Sequence, residues 1–126
     1  AFREFNVIKK NKKQKLTKKI NFTLAHSNQS FLLFRRNEKS FWESLWIPYD
    51  NQYRGRRNLF KQPIKSEIQN FNHALSHIDL NISVEIFDYD KPFKVQTNLE
   101  HQWINKEEIN EFGLPKPIKS IIENYV

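Results

Sequence analysis

The chain contains no cysteine, which removes disulfides, cysteine-ligated zinc, iron–sulfur clusters and a thiol nucleophile from these residues. Glycine is almost as scarce. Gly55 and Gly113 are the only two, so no phosphate-cradling loop built on repeated glycine can form. No apolar run approaches the roughly 18 residues of a membrane-spanning helix, and the first residues lack the apolar stretch of a signal peptide. Methionine is absent too, and the chain opens on Ala1, which points to a piece cut from something longer. The 126 residues amount to one domain. A domain of this size buries roughly two-thirds of the surface its unfolded chain exposes. Aromatic residues make up 14%, with eleven phenylalanines, so the core is expected to rest on rings, isoleucine and leucine.

The net charge of +7 is unevenly placed. Residues 1–19 carry Arg3, Lys9, Lys10, Lys12, Lys13, Lys15, Lys18 and Lys19 against the single acid Glu4, and residues 20–126 balance to zero. Seven lysines within Lys9–Lys19 repel one another, and the stretch reads as an extended, mobile connector. A second basic region holds Arg35, Arg36, Arg54, Arg56 and Arg57, whereas residues 66–126 are acidic. One side of the domain is therefore expected to face a polyanion, with a solvated lysine-rich linker as the plain alternative.

Local patterns give a strand at Ile20–Ala25, with Ile20, Phe22 and Leu24 on its buried face. A hairpin tip at Ser27-Asn28 follows, then a fully buried strand at Phe31–Phe34. Phe41, Trp42 and Trp46 form an aromatic cluster closed by Pro48, and residues 50–65 show no period. Asn70–His77 reads as a polar loop opening the clearest strand, Ile78–Ile86, where five apolar residues alternate with four polar ones. Glu100–Ile104 is a short strand. Asn105 with Glu108 has capping-box spacing for a helix ending at Gly113, and Pro117 opens a last helix with Ile118, Ile121, Ile122 and Tyr125 on one face. The class is α+β with a mixed or antiparallel sheet.

Catalytic constellations are thin. Glu107, Glu108 and Glu111 belong to the solvated face of a short helix. His73 and His77 lie four apart but lead straight into a strand, so helical zinc spacing does not hold, and no metal site is expected. Ser76 and His77, adjacent on extended backbone, point to opposite faces and make a poor nucleophile–base pair. What remains is a recognition loop beside a basic arm.

The order of these pieces is familiar. A lysine-rich connector precedes a strand pair ending in Phe34-Arg35-Arg36, followed by Phe41-Trp42-Glu43-Ser44-Leu45-Trp46-Ile47-Pro48. Next comes His73-Ala74-Leu75-Ser76-His77-Ile78-Asp79-Leu80, and the series closes with Gly113-Leu114-Pro115-Lys116-Pro117. Over about 110 residues this resembles the C-terminal domain of MutY-family A/G-specific adenine DNA glycosylases. The resemblance implies a Nudix-like mixed β-sheet flanked by short helices, an α/β/α sandwich, over residues 20–126, with 1–19 as the basic interdomain connector. It implies that Leu75, Ser76 and His77 contact 8-oxoguanine opposite adenine in duplex DNA, with His73 shaping the loop. Leu75 stands where the family usually has phenylalanine, and Ala74 replaces a hydroxyl residue often found there.

The family's excision chemistry and iron–sulfur cluster belong to an N-terminal helical domain, absent here, which would be this domain's own partner. The expected setting is a monomer, cytoplasmic and nucleoid-associated in a bacterium, with no membrane role. A Nudix hydrolase box is also missing, since residues 48–68 offer Gly55 and no glutamate before Glu67. The fragment itself is therefore expected to be non-catalytic. Lys9, Lys10, Lys12, Lys13, Lys15, Lys18, Lys19, Arg35, Arg36, Arg54, Arg56 and Arg57 are candidates for backbone phosphates, argued from charge. A Nudix-like protein-interaction module is the alternative, with Trp42 and Trp46 then forming an exposed patch.

Overall fold

A computed structural model describes residues 15–37, 41–52 and 59–125. Lys9, Lys10, Lys12, Lys13, Arg54, Arg56 and Arg57 lie outside them. The described residues build one seven-stranded mixed sheet. Its strands are β1 (Leu16–Ser27), β2 (Ser30–Arg35), β3 (Trp46–Ile47), β4 (Tyr49–Asp50), β5 (Lys65–Ala74), β6 (Ile78–Asp88) and β7 (His101–Asn105). A 3₁₀ helix (Lys106–Glu111) and helix α1 (Lys116–Asn124) follow. None of the described helices is long and apolar enough to cross a membrane.

The centre of the sheet is the parallel pair β1–β6, in register from Leu16 opposite Ile78 to His26 opposite Asp88. β5 joins the outer side of β6 antiparallel, and β2 joins β1 near the first hairpin. Beyond that hairpin β1 and β2 diverge, and the two short strands on either side of Pro48 fill the gap, β3 against β2 and β4 against β1. β7 adds to the far edge of β2. The first hairpin turns at Asn28-Gln29, one residue later than the sequence pattern suggests. Both residues take positive φ, 48° and 72°, the left-handed conformation with which a two-residue turn matches the right-handed twist of its strands.

Apolar alternation on β1 and β6 sends Ile20, Phe22 and Leu24, with Leu80, Ile82, Val84 and Ile86, toward α1. There Ile118, Ile121 and Ile122 close the layer, each contributing about 1.5–3 kcal/mol by leaving water. The other face of the sheet carries Ala25, Leu32, Phe34 and Tyr49 beneath Leu59, Phe60 and Val95. β1 is thus buried on both faces at Phe22–Ala25, where the alternating pattern suggests one. Thr23 reads as polar yet is fully buried, and its hydroxyl donates to Asn51 Oδ1 at 2.7 Å. β1 also starts at Leu16, so the last residues of the lysine-rich segment already lie on the sheet.

Asn105 does cap a helix, accepting from the Glu107 amide at 2.9 Å, but the turns that follow are 3₁₀. Pro115 provides the N-cap position of α1, and Pro117 sits within its first turn. A side-chain carbon on Gly113 would meet Leu45 Cδ2 at 3.1 Å, and the Gly113 carbonyl accepts from the Trp46 amide at 2.7 Å. The bare glycine lets the approach to α1 press against Leu45-Trp46.

Candidate nucleic-acid interface

One segment departs from the sequence reading. Asn70–Ala74 is strand, not loop: β5 and β6 form a long hairpin in register from Lys65 opposite Asp88 to Ala74 opposite Asp79. β5 is an edge strand with no fully buried residue, so it shows no apolar alternation. The loop shrinks to its tip. Leu75 N–H donates to the Ile78 carbonyl at 2.8 Å, leaving Ser76 and His77 as the two turning residues, both exposed. Neither takes positive φ.

The residues around the tip differ in what they can touch. Leu75 is half-buried and packs on the α1-side core, which turns it inward from the turn. His73 is half-buried on the same face, its ring 6.1 Å from that of Trp42. It also borders a groove of about 570 Å3 with Lys116, Pro117 and Lys119 of α1. Ser76 and His77 alone of the four are exposed, while Leu75 and His73 are half-buried beneath the turn.

Of the described basic candidates, Lys15 lies beside the tip, its ammonium 3.0 Å from Asp79. Lys18 and Lys19 are exposed further along β1, with the Lys18 Nζ 5.5 Å above the Phe41 ring. Arg35 is exposed on β2, where it holds the Ser44 carbonyl at 3.3 Å and lies 3.8 Å from Glu100. Arg36 is different. At 3% exposure, it donates to Asp50 Oδ2 at 3.4 Å and to the Phe41 carbonyl at 3.1 Å. It is committed inside the fold and offers no face to a phosphate, a distinction that charge alone could not make. Its backbone also pins the Phe41–Leu45 turn, where Trp42 and Ser44 take φ of 64° and 68°. Trp42 and Trp46 are half-buried against the core, Trp42 stacked over Phe22 at 6.4 Å and Trp46 edge-on to Phe112 at 5.6 Å.

At the opposite end of the β1–β6 pair sits a second polar cluster, which the sequence reading missed. Asp88 accepts from His26 Nδ1 and from the Tyr125 hydroxyl, both at 2.7 Å. Burial, then the hydrogen bond to Asp88, hold the Tyr125 hydroxyl well above its ordinary ionisation range. Burial and neighbouring Asp50 push Tyr49 up in the same direction.

The mixed sheet, split at β3 and β4 and backed by a C-terminal helix, defines the Nudix class of fold. The chain belongs to the NUDIX domain family, which it matches over residues 21–124. It is 30% identical over 136 aligned positions to the adenine DNA glycosylase of Buchnera aphidicola from Schizaphis graminum, an alignment that covers 98% of this chain and 39% of that protein. The chain thus spans well under half of its relative's length. Among solved structures, the C-terminal domain of mouse MUTYH, in complex with human PCNA, superposes with a TM-score of 0.62 at 13% identity, covering 83% of this chain and 84% of that one. The MutT protein of Methanosarcina mazei gives 0.59 at 20% identity, covering 87% and 93%. These two likenesses establish the fold.

A hydrolase of this fold class needs carboxylates gathered around a divalent cation. The described donors do not fit one. Asp50 is taken by Arg36 and by the Gln52 amide at 3.1 Å, and Glu67 stands on exposed β5, accepting from Gln69 at 3.0 Å. Among the described residues, no three His, Asp or Glu side chains converge.

Proposed function

We propose that this chain is the lesion-reading C-terminal domain of an adenine DNA glycosylase. It recognises 8-oxoguanine opposite adenine in duplex DNA, while a preceding catalytic domain, carrying the iron–sulfur cluster, excises the adenine. The protein then works where the bacterial chromosome lies, in the cytoplasm. The observation that carries this reading is the exposed Ser76-His77 tip, in a chain 30% identical to an adenine DNA glycosylase along nearly its whole length.

The chemistry follows from what oxidation does to guanine. Guanine presents only acceptors, N7 and O6, in the major groove. In 8-oxoguanine, N7 carries a hydrogen and donates, and C8 carries a carbonyl that accepts. A serine hydroxyl both accepts and donates, so Ser76 matches the new pair with one group. His77 has a ring N–H within the same turn for a neighbouring acceptor. Lys15, Lys18, Lys19 and Arg35 supply sequence-independent attraction to phosphates. Adenine leaves through chemistry housed outside these residues, and the Nudix fold serves here as a reader.

The test compares adenine excision opposite 8-oxoguanine and opposite guanine by the glycosylase that carries this domain, before and after Ser76→Ala. Loss of one bidentate contact is worth about 1–3 kcal/mol, so the preference for 8-oxoguanine should fall roughly 5- to 150-fold. Excision opposite guanine should hold. Equal rates for both proteins on both duplexes would place lesion reading elsewhere, and a parent without glycosylase activity would remove the family function.

A further inference from the structure

Three large apolar side chains among the described residues stand in water: Leu16 at 68% exposure, Ile64 at 71% and Ile68 at 60%. Isolated exposed apolar residues are ordinary on protein surfaces. Leu16 is not isolated. In the parallel pair it lies opposite Ile78, and across the hairpin Ile78 accepts from the Leu75 amide. Residues opposed in register share a face. Leu75, just past the end of β5, Ile78 on β6 and Leu16 on β1 therefore form one apolar row on the α1 side, next to the Ser76-His77 turn. Leu75 and Ile78 are half-buried against the core, and Leu16 continues the row into solvent.

The setting of that row is cationic. Lys18 follows on the same face of β1, and Lys15 reaches Asp79 on the opposite face. Along Leu16–Lys19 the described strand partner is β6 on one side alone, which leaves the row open at its edge. Ile64 and Ile68 have no such company. Ile64 is held near Asp88 at the other end of the hairpin, and Ile68 pairs with Glu85 on the opposite face.

We infer that Leu16 is an apolar contact to the nucleotide flanking the one Ser76 reads, packing on its sugar and exposed base edge while Lys15 and Lys18 hold the adjacent phosphates. The inference rests on the reading proposed above. Leu16 lies one strand width, about 4.8 Å, from Ile78, the residue that directly follows the Ser76-His77 turn. An apolar side chain beside a read base gains by leaving water, which offsets the cost of partly unstacking the neighbouring step. Leu75, turned into the core, does not provide that contact.

The experiment measures binding of the 126-residue chain to a fluorescent duplex containing 8-oxoguanine opposite adenine, by anisotropy at several salt concentrations. Leu16→Ser should weaken binding about tenfold with an unchanged slope of log K against log salt, because the lost contact is apolar. Leu16→Ile should stay within about twofold, and so should Ile68→Ser, an equally exposed position off the row. Lys15→Ala should flatten the salt slope by about one. A Leu16→Ser protein that binds within twofold of wild type, or an equal loss from Ile68→Ser, overturns the inference and leaves Ser76 as the reader. Wild-type chain that binds no duplex overturns this inference, while the reading beneath it is decided separately by the excision comparison for Ser76→Ala. Thermal midpoints of the two Leu16 variants should match wild type, since the side chain is exposed, and a lowered midpoint would mark Leu16 as a packing residue instead.

Discussion

At one end of the β1–β6 pair, His26 and Asp88 face each other in register and settle their polar groups together under the Tyr125 ring. At the other end, Leu16 and Ile78 face each other in the same ladder, and a leucine stands in water beside an exposed serine and histidine. The two ends share strands, register and sheet. They differ in what closes them. The C-terminal stretch folds over the first end, where Tyr125 donates to Asp88 and its carbonyl accepts from Lys106 Nζ at 3.1 Å. Over the second, the described residues place only a two-residue turn. Polar groups at the closed end spend their hydrogen-bonding capacity within the fold, whereas Ser76 and His77 at the open end face solvent.

That contrast can be broken by mutation. The largest loss of stability should come from Arg36→Ala, which strands the buried Asp50 carboxylate and leaves the Phe41 carbonyl without its side-chain donor. About 3–5 kcal/mol is expected in urea denaturation, with no change in the salt slope of DNA binding. An unaltered stability together with a flatter slope would return Arg36 to the phosphate-facing set. Next, Asp88→Ala removes the acceptor shared by His26 and Tyr125 and should cost about 2–4 kcal/mol. On the proposed function its preference for 8-oxoguanine should survive, because His26 and Asp88 lie at the far end of the β1–β6 pair from the Ser76-His77 turn.

Tyr125→Phe is gentler, at about 1–2 kcal/mol near neutral pH, and it carries a pH signature. The folded Tyr125 ionises later than the unfolded residue, whose ordinary value is 10.0. Its contribution is therefore complete below pH 10 and is lost as the pH climbs above it. Wild type should lose stability along that alkaline limb more steeply than Tyr125→Phe, and parallel limbs would refute the assignment. The smallest effect on stability belongs to Ser76→Ala, within about 0.5 kcal/mol, in the same protein whose lesion preference should collapse. A large drop in thermal midpoint for that variant would mean the open end is not open.

Much of the sheet was legible in the residues themselves. The unbroken alternation at Ile78–Ile86, the Phe31–Phe34 run and the isoleucine face of α1 all become elements where the pattern puts them. β5 was not legible, and for a physical reason. A strand announces itself by the face it buries, and an edge strand made of Lys65-Ser66-Glu67-Ile68-Gln69-Asn70-Phe71-Asn72-His73-Ala74 buries little on either. Its polarity also serves the fold, because an apolar free edge would recruit other strands. Mistaking it for loop made an eight-residue loop of Asn70–His77, where the hairpin leaves a two-residue turn.

Composition and local order by themselves determined an α+β class, the absence of cysteine chemistry and of a glycine-rich phosphate loop, and the placement of the positive charge, while the Ser76-His77 pair came forward through the resemblance of its motif to a family. Those depend on residue type and near-neighbour spacing. Which arginine is buried, which leucine is left in water, and which carboxylate ties His26 to Tyr125 depend on contacts between residues far apart in the chain. Arg36 and Arg35 are adjacent, of one type and equally charged, yet the pleat of β2 and the position of Asp50 send one inward and leave the other in solvent. Only the folded sheet made that choice.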